Sequence, residues 1–350
     1  MNDINMIPIF RSRDGVDSLK NNYGTFKYVH ELLSKNQMVH ILAEGSTAQV
    51  KKARPLKKGT SRMAFGTLEE YGKDIDIHLI PVGMNYTQAD EFRSDLMVSI
   101  GEPLRIQDYL SLYQENENKA YRRLTNDLTK AMRKHIITIE DEEKTDLYEQ
   151  VFEMQRNAKL RKIFPIYDTG VNKKFEREYE VCERINDLEE GQREDLHVKS
   201  NAYFSALAAN GISDFGVAQS TFGNLGKLLI LMIGFVPFLI GRVATFIPAF
   251  FAKRLSDNKV KQLEFKASVA IAAAIGFYLL SLIIFVILGF VIQKWWYWVL
   301  LLIIPFLGYY SILYEEFYKN WIEARKFNGL KTKLKERLKD QRREILINLV

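Results

Sequence analysis

The rhythm of apolar and polar residues divides the chain into three stretches. Up to about residue 106, short apolar runs alternate with helical patterns. "MIPIF" (6–10), "MVHILAE" (38–44), "IDIHLIPVGMNY" (75–86) and "LMVSIG" (96–101) have the length and β-branched content of strands. Between them, "TFKYVHELLSK" (25–35) and "KGTSRMAFGTLEEYG" (58–72) carry apolar residues at helical spacing. Strands alternating with helices predict an α/β domain over residues 1–106, a mainly parallel sheet flanked by helices. Binding groups are then expected at the C-terminal ends of the strands, where Arg11 and Glu44 fall.

From 107 to 225 the pattern changes to charged, amphipathic segments nearly free of Gly and Pro, such as "DYLSLYQENENKAYRRLTNDLTKAMRKHI" and "KKFEREYEVCERINDLEE". Each carries one apolar stripe, which predicts a helical region packed through that stripe, with a solvated charged face. No internal repeat or low-complexity tract interrupts it.

The third stretch suits a membrane. "VAIAAAIGFYLLSLIIFVILGFVI" (269–292) has no charge, and at ~1.5 Å per residue it exceeds the ~30 Å hydrocarbon core. After Gln293 and Lys294 comes "WWYWVLLLIIPFLGYYSILY" (295–314), uncharged and rich in Trp and Tyr at its ends, as interfaces prefer. A transmembrane hairpin is expected. In "LLILMIGFVPFLIGRVATFIPAFF" (228–251), Gly234, Pro237, Gly241, Arg242 and Pro248 are expected to break the run into pieces too short to span. The basic linker that follows, with Lys253, Arg254, Lys259, Lys261 and Lys266, is expected to stay cytoplasmic, as is the N-terminal region. An even number of crossings then lies between them, and zero is simplest. Residues 226–252 are accordingly expected to form a re-entrant or interfacial segment. Residues 315–350 end the chain as a basic amphipathic helix suited to an anionic leaflet.

A net charge of +6 favours an anionic partner: nucleic acid, anionic lipid or a phosphorylated metabolite. The single Cys182 excludes an intramolecular disulfide and a cysteine-rich zinc site, and is expected to be half-buried filler. No metal or redox cofactor is indicated. "MNDINMIPIF" lacks the features of a secretory signal.

The densest charge lies in "ILAEGSTAQVKKARPLKKGTSRMAFG" (41–66), where Glu44 and Gly45 precede Lys51, Lys52, Arg54, Lys57, Lys58 and Arg62. The spacing of a nucleotide phosphate loop is absent. No aromatic residue lies between Gly45 and Phe65 to stack on bases, so nucleic acid is not an expected partner. A solvated charged loop is the simpler alternative.

Around this loop the motifs run in order: "IPIFRSRDG" (7–15), "ILAEGS" (41–46), "RPLKKGTSRMAFG" (54–66), "LIPVGMNY" (79–86) and "FRSDLMVSIGEPL" (92–104). Their order and spacing resembles the glycerolipid acyltransferase family, which acylates glycerol-3-phosphate and lysophosphatidate. The resemblance covers roughly residues 5 to 106 and is nearest to the microbial and fungal glycerol-3-phosphate acyltransferase branch. It implies a membrane-bound enzyme that moves a fatty acyl group from acyl-CoA or acyl-carrier protein onto glycerol-3-phosphate or 1-acylglycerol-3-phosphate. The domain and the C-terminus would both lie on the cytoplasmic side.

By the same resemblance, Arg11 matches the arginine that holds the substrate phosphate, for which a planar guanidinium fork is suited. Arg13 is a possible assistant or a surface residue. Glu44 and Gly45 match an E-G pair, where glycine lets backbone approach ligand. Arg54, Lys57 and Lys58 fit a wall for phosphate or an anionic thioester donor. Ile80, Pro81 and Val82 match a strand that packs or lines the acyl site. Ala43 stands where the family usually has proline, a change expected to alter the rigidity of the turn.

The family's base is the histidine of N-H-x-x-x-x-D, which removes a proton from the acceptor hydroxyl. None of His30, His40, His78, His135 and His197 is followed by Asp in that pattern. No catalytic residue is therefore assigned. The chain is expected to lack its N-terminal part and to be inactive as it stands. A non-catalytic membrane module binding acidic lipid head groups is the alternative.

Overall fold

In the computed structural model, residues 6–7, 9, 22–45, 50–88, 93–160, 173–260, 263–347 and 349 are described. Arg11 and Arg13 lie outside the described residues. The chain divides into two units, residues 1–85 with 96–138, and residues 86–95 with 139–350.

The expected mainly parallel sheet is not found. Strands make up 5% of the described residues, in two small antiparallel sheets, while 74% are helical. Strand β1 (His78–Leu79) pairs with β4 (Leu104–Arg105), and β2 (Val82–Tyr86) with β3 (Leu96–Ile100). The reason is connectivity. Only residues 87–95 separate β2 from β3, too few for the crossover of a dozen or more residues that a parallel pair needs. Residues 38–44 have strand composition but join neither sheet, and Met38 and Leu42 are exposed. Without a neighbour to complete a ladder, β-branched content alone does not make a strand.

The two expected helices of the first unit do form, as α1 (Asn22–Ser34) and α2 (Gly59–Tyr71). A short helix α3 (Leu110–Glu115) and α4 (Glu117–Arg133) follow β4, and α4 is capped by Asn116 accepting from the Lys119 N–H. The core gathers around α2. Phe65 stacks on Tyr113 at 4.3 Å between ring centroids, with Leu68, Ile106 and Leu124 packed alongside.

The second unit contains α5 (Thr145–Asn157), α6 (Lys173–Asp187), α7 (Glu190–Ala209) and α8 (Asp214–Ala218). Three long helices follow: α9 (Leu225–Lys259), α10 (Leu263–Ile292) and α11 (Trp295–Asn328). The last is α12 (Thr332–Ile347). Cys182 is fully buried on α6. Asp214, also fully buried, accepts hydrogen bonds from Tyr203 Oη (2.7 Å), Arg342 Nε (2.8 Å) and Asn157 Nδ2 (3.1 Å). Arg342 thus ties α12 to α8, while Leu338 and Ile345 of α12 are buried in this unit.

Helices α9, α10 and α11 are each long and apolar enough to cross a membrane, and the chain is a membrane protein. Helix α9 runs unbroken through Pro237 and Pro248. In an apolar setting, proline and glycine are tolerated inside a helix where a neighbour packs against them. A Cβ at Gly241 would lie 2.0 Å from the Leu307 carbonyl oxygen, so this glycine admits α11 rather than ending α9.

Arg342→Ala leaves the Asp214 carboxylate buried without its cation, a change expected to cost about 3–5 kcal/mol. Denaturant titration of the detergent-solubilised chain, read by thiol labelling of Cys182, measures it.

Candidate functional site

The turn at residues 42–45 is closed by the Gly45 N–H donating to the Leu42 carbonyl at 3.0 Å, and Gly45 adopts φ +69°. Ala43 therefore occupies the second position of the turn, where proline is favoured, and the turn closes without it. The Lys57 N–H donates to the Ala43 carbonyl at 3.0 Å, and the Arg54 N–H donates to Glu44 Oε1 at 3.3 Å. The Glu44–Gly45 turn and the 54–57 segment are thereby laid side by side, although residues 46–49 between them lie outside the described residues. A Cβ on Gly45 would come within 3.5 Å of Lys57 Cγ.

Lys57 and Lys58 are exposed, and Lys58 is the residue that precedes α2. Among the described residues no carboxylate lies within ion-pair distance of either ammonium, and the first turn of α2 holds no acidic residue. Two lysines that pair with no carboxylate among the described residues thus stand at a helix N-terminus, which is a suitable setting for a phosphate. Glu44 is engaged with backbone rather than with the lysines. Arg62, one turn into α2, faces elsewhere. It lines a cavity of about 310 Å³ with Tyr23, Phe26, Lys27, His30 and Glu70. There His30 Nδ1 lies 2.8 Å from Glu70 Oε2, while Nε2 is buried without a partner among the described residues, close against Gly66. That closure makes the pair a latch between α1 and α2, not an accessible base.

The strand motif lies on the β2–β3 side of the same unit. Pro81 is buried and its carbonyl accepts from the Gly101 N–H at 2.9 Å; Val82 is half-buried and Ile80 is 53% exposed. Sequence reasoning missed the segment that joins this motif to the basic loop. Asn85 donates to the His135 carbonyl and accepts from the Ile137 N–H, both at 2.8 Å. At the other end of the segment, Thr138 Oγ1 accepts from the Ala53 N–H at 3.2 Å. Residues 135–138 thus bridge the strands to the residue preceding Arg54. The signal in the sequence was glycine. A Cβ at Gly83 would fall 1.8 Å from the His135 carbonyl oxygen, and one at Gly101 2.3 Å from His135 Nε2. The glycines of "IPVGMNY" and "SIGEP" leave room for His135.

The remaining histidines hold structural or surface positions. His135 Nδ1 shares a hydrogen bond of 2.8 Å with the buried Ser99 hydroxyl. His78 pairs with Asp76 on the surface, His40 is exposed, and His197 pairs with Asp146.

Comparison with known proteins gives three relatives. Glycerol-3-phosphate O-acyltransferase 1 of Saccharomyces cerevisiae is 26% identical over 255 residues, covering 70% of this chain and 33% of its own length. An uncharacterized acyltransferase of Schizosaccharomyces pombe is 32% identical over 95 residues, covering 27% of this chain and 14% of its own length. Glycerol-3-phosphate O-acyltransferase 2 of Saccharomyces cerevisiae is 25% identical over 112 residues, covering 32% of this chain and 15% of its own length. The chain is a homologue of glycerolipid acyltransferases. In its longest match it spans about a third of the relative's length. No family model and no solved structure matches.

Burial, and then the Lys134 charge, hold the His135 imidazole below its ordinary value of 6.5. The folded chain binds that proton less readily than the unfolded chain. Its contribution to stability is therefore fully present above about pH 6.5 and declines as pH falls toward the folded value. The unfolding midpoint of the solubilised chain is expected to drop on acidification through this window. His135→Gln is expected to make that acid limb shallower.

Proposed function

We propose that this chain belongs to a membrane-bound acyltransferase that transfers a fatty acyl group from an acyl-CoA or acyl-carrier-protein thioester to glycerol-3-phosphate or 1-acylglycerol-3-phosphate. The observation that carries this reading is the joined turn and loop. Glu44 and Gly45 lie beside Arg54 and Lys57, next to two lysines that have no carboxylate partner among the described residues. These residues include the E-G pair and the basic residues of "RPLKKG", in a chain homologous to glycerol-3-phosphate acyltransferases. Arg54, Lys57 and Lys58 supply the cationic wall, with Arg11 as the proposed second hand on the phosphate. Gly45 keeps the turn low enough for the ligand to approach. Glu44 holds the wall in place through the Arg54 N–H. Ile80, Pro81 and Val82 are proposed to line the acyl path, and the bilayer supplies the acyl chain's surroundings. The acyltransferase region and the C-terminal segment are assigned to the cytoplasmic side, in keeping with the basic linker between α9 and α10.

Transfer needs a base to take the acceptor hydroxyl's proton as its oxygen attacks the thioester carbonyl and the thiolate leaves. No N-H-x-x-x-x-D pattern occurs in the 350 residues. His30 Nε2 is shut against Gly66, and His135 is engaged with Ser99. The 350-residue chain is therefore proposed to bind the phosphate without turning over. That same missing pattern favours the second reading, a non-catalytic module for acidic lipid head groups.

Equilibrium dialysis of the detergent-solubilised chain against radiolabelled glycerol-3-phosphate tests the wall. Lys57→Ala and Lys58→Ala are each expected to weaken binding about tenfold or more, as loss of a charge-assisted hydrogen bond does. Retained affinity in the double variant overturns the assignment of the wall. If the wild-type chain binds phosphatidate vesicles but not glycerol-3-phosphate, the head-group reading replaces it. With an acyl thioester added, no thiol release above background is expected, and clear turnover would refute the proposed inactivity.

A further inference from the structure

The cavity of about 310 Å³ between α1 and α2 takes no part in the proposed transfer. Its walls follow from helix periodicity. Tyr23, Phe26, Lys27 and His30 recur at i, i+3, i+4 and i+7 on α1, and Arg62, Gly66 and Glu69 at i, i+4 and i+7 on α2, so each set forms one stripe. The two stripes are held together where His30 meets Glu70 and closes on Gly66, at which a Cβ would fall 2.7 Å from the imidazole. Tyr121 of α4 supplies a third wall. Its ring stands edge-on to Phe65 at 5.7 Å, and its hydroxyl lies 3.2 Å from that of Tyr113, which donates to Glu69 Oε1 at 2.7 Å. The latch at one side and this network at the other fix the walls, so the space is formed before any ligand arrives. A preformed concave site avoids the ordering cost that a ligand otherwise has to meet.

Three kinds of group line this space. The first is positive charge: Lys27 and Arg62 are exposed, and neither forms an ion pair among the described residues. The second is aromatic surface, from Tyr23, which is 79% exposed, and from the half-buried Phe26 and Tyr121. The third is carboxylate oxygen. Glu69 receives Tyr113 on Oε1 and Glu70 meets His30 through Oε2, which leaves each a second oxygen for a hydroxyl or amine donor. Simple ligands use part of this set and waste the rest. Inorganic phosphate or a glycerol phosphate engages the cations and leaves the rings in water. A hydrocarbon chain covers the rings but strips water from charged groups without replacing its hydrogen bonds. A nucleoside phosphate engages all three. Its base stacks on an aromatic ring, its ribose hydroxyls donate to carboxylates, and its phosphate meets lysine and arginine. The volume stands at the lower end of small-molecule sites, ~300–1,000 Å³, and suits a group of mononucleotide size. The cations here are side chains on two helices, so the phosphate-loop spacing that the sequence lacks is not required.

We propose that the α1–α2 cavity is a binding site for a nucleoside phosphate, either free or as the end group of a larger molecule such as a CoA thioester. Tyr23 provides the stacking surface, and Lys27 and Arg62 hold the phosphate. The proposal is independent of the phosphate wall at Lys57 and Lys58.

Equilibrium dialysis of the full chain in detergent against radiolabelled AMP and CMP tests it. Saturable binding of at least one is expected, with the parent nucleoside and inorganic phosphate each competing about tenfold or more weakly. Lys27→Ala and Arg62→Ala are each expected to weaken the nucleotide about tenfold and the nucleoside little. Tyr23→Ala is expected to weaken both about fivefold or more, and Tyr23→Phe, which keeps the ring, to retain binding. All three residues are exposed, so these changes leave the fold in place. Lys57→Ala is expected to have no effect. A loss there instead places the nucleotide on the phosphate wall and overturns the proposal. So does the absence of saturable binding by either nucleotide, or inorganic phosphate competing as well as the nucleotide, or unchanged affinity in the combined Tyr23→Ala, Lys27→Ala and Arg62→Ala variant. Coenzyme A competing at least as tightly as the nucleotide identifies the end group of a larger molecule. Nucleotide binding that excludes coenzyme A identifies the free nucleotide.

Discussion

The side chain of Asn85 sits where the candidate site acquires its shape. A carboxamide offers a donor and an acceptor on one planar group, and here both are spent on the backbone of a single segment, the His135 carbonyl and the Ile137 N–H. Leaving either of those buried backbone groups unpaired costs about 1–3 kcal/mol, so the position of 135–138 is strongly fixed against the strands. Thr138 then carries that position to Ala53, and the peptide from Ala53 to Lys57 is pinned in turn to the Glu44 turn. A chain of short-range bonds converts a two-stranded hairpin into the support of a basic loop. The lysines are left to solvent, where a ligand can reach them, while the backbone beneath them is held.

The membrane part follows another economy. Helices in hydrocarbon gain nothing from hiding apolar surface from one another, so association rests on close backbone approach and on polar contacts. Gly241 gives the first, against the Leu307–Gly308 backbone, while Gly234 leaves room for the Tyr310 hydroxyl, a Cβ there falling 2.1 Å from Tyr310 Oη. The tyrosines give the second, since Tyr310 and Tyr314 both donate to carbonyls of α9. Arg93, held at φ +65°, extends the same logic to the loop between β2 and β3, which meets α11 where its charges begin.

Much of the helical content was legible because periodicity is a local property. Helices α1 and α2 fall within a few residues of the patterns that announce them, and the motifs that mark the acyltransferase relationship sit in plain order. The sheet was not legible. Strand composition at 38–44 says nothing about whether a neighbour exists, and the direct joining of β2 to β3 sets an antiparallel pairing that alternation of segments had argued against. Nor could the sequence distinguish a glycine that breaks a helix from one that admits another helix, which is the difference at Gly241. The bridge through His135 was hidden for a similar reason: its residues lie far along the chain from the loop they support, and only Gly83 and Gly101 hint at what presses on them.

The tie between Arg342 and Asp214 has a consequence for biosynthesis. Helix α12 lies beyond the three apolar helices in the chain, yet its arginine neutralises a carboxylate on α8, which precedes them. Until the ribosome has made α12, the nascent α5–α8 bundle holds Asp214 without its guanidinium. Synthesis of all three greasy segments therefore comes before the bundle can close on its buried carboxylate.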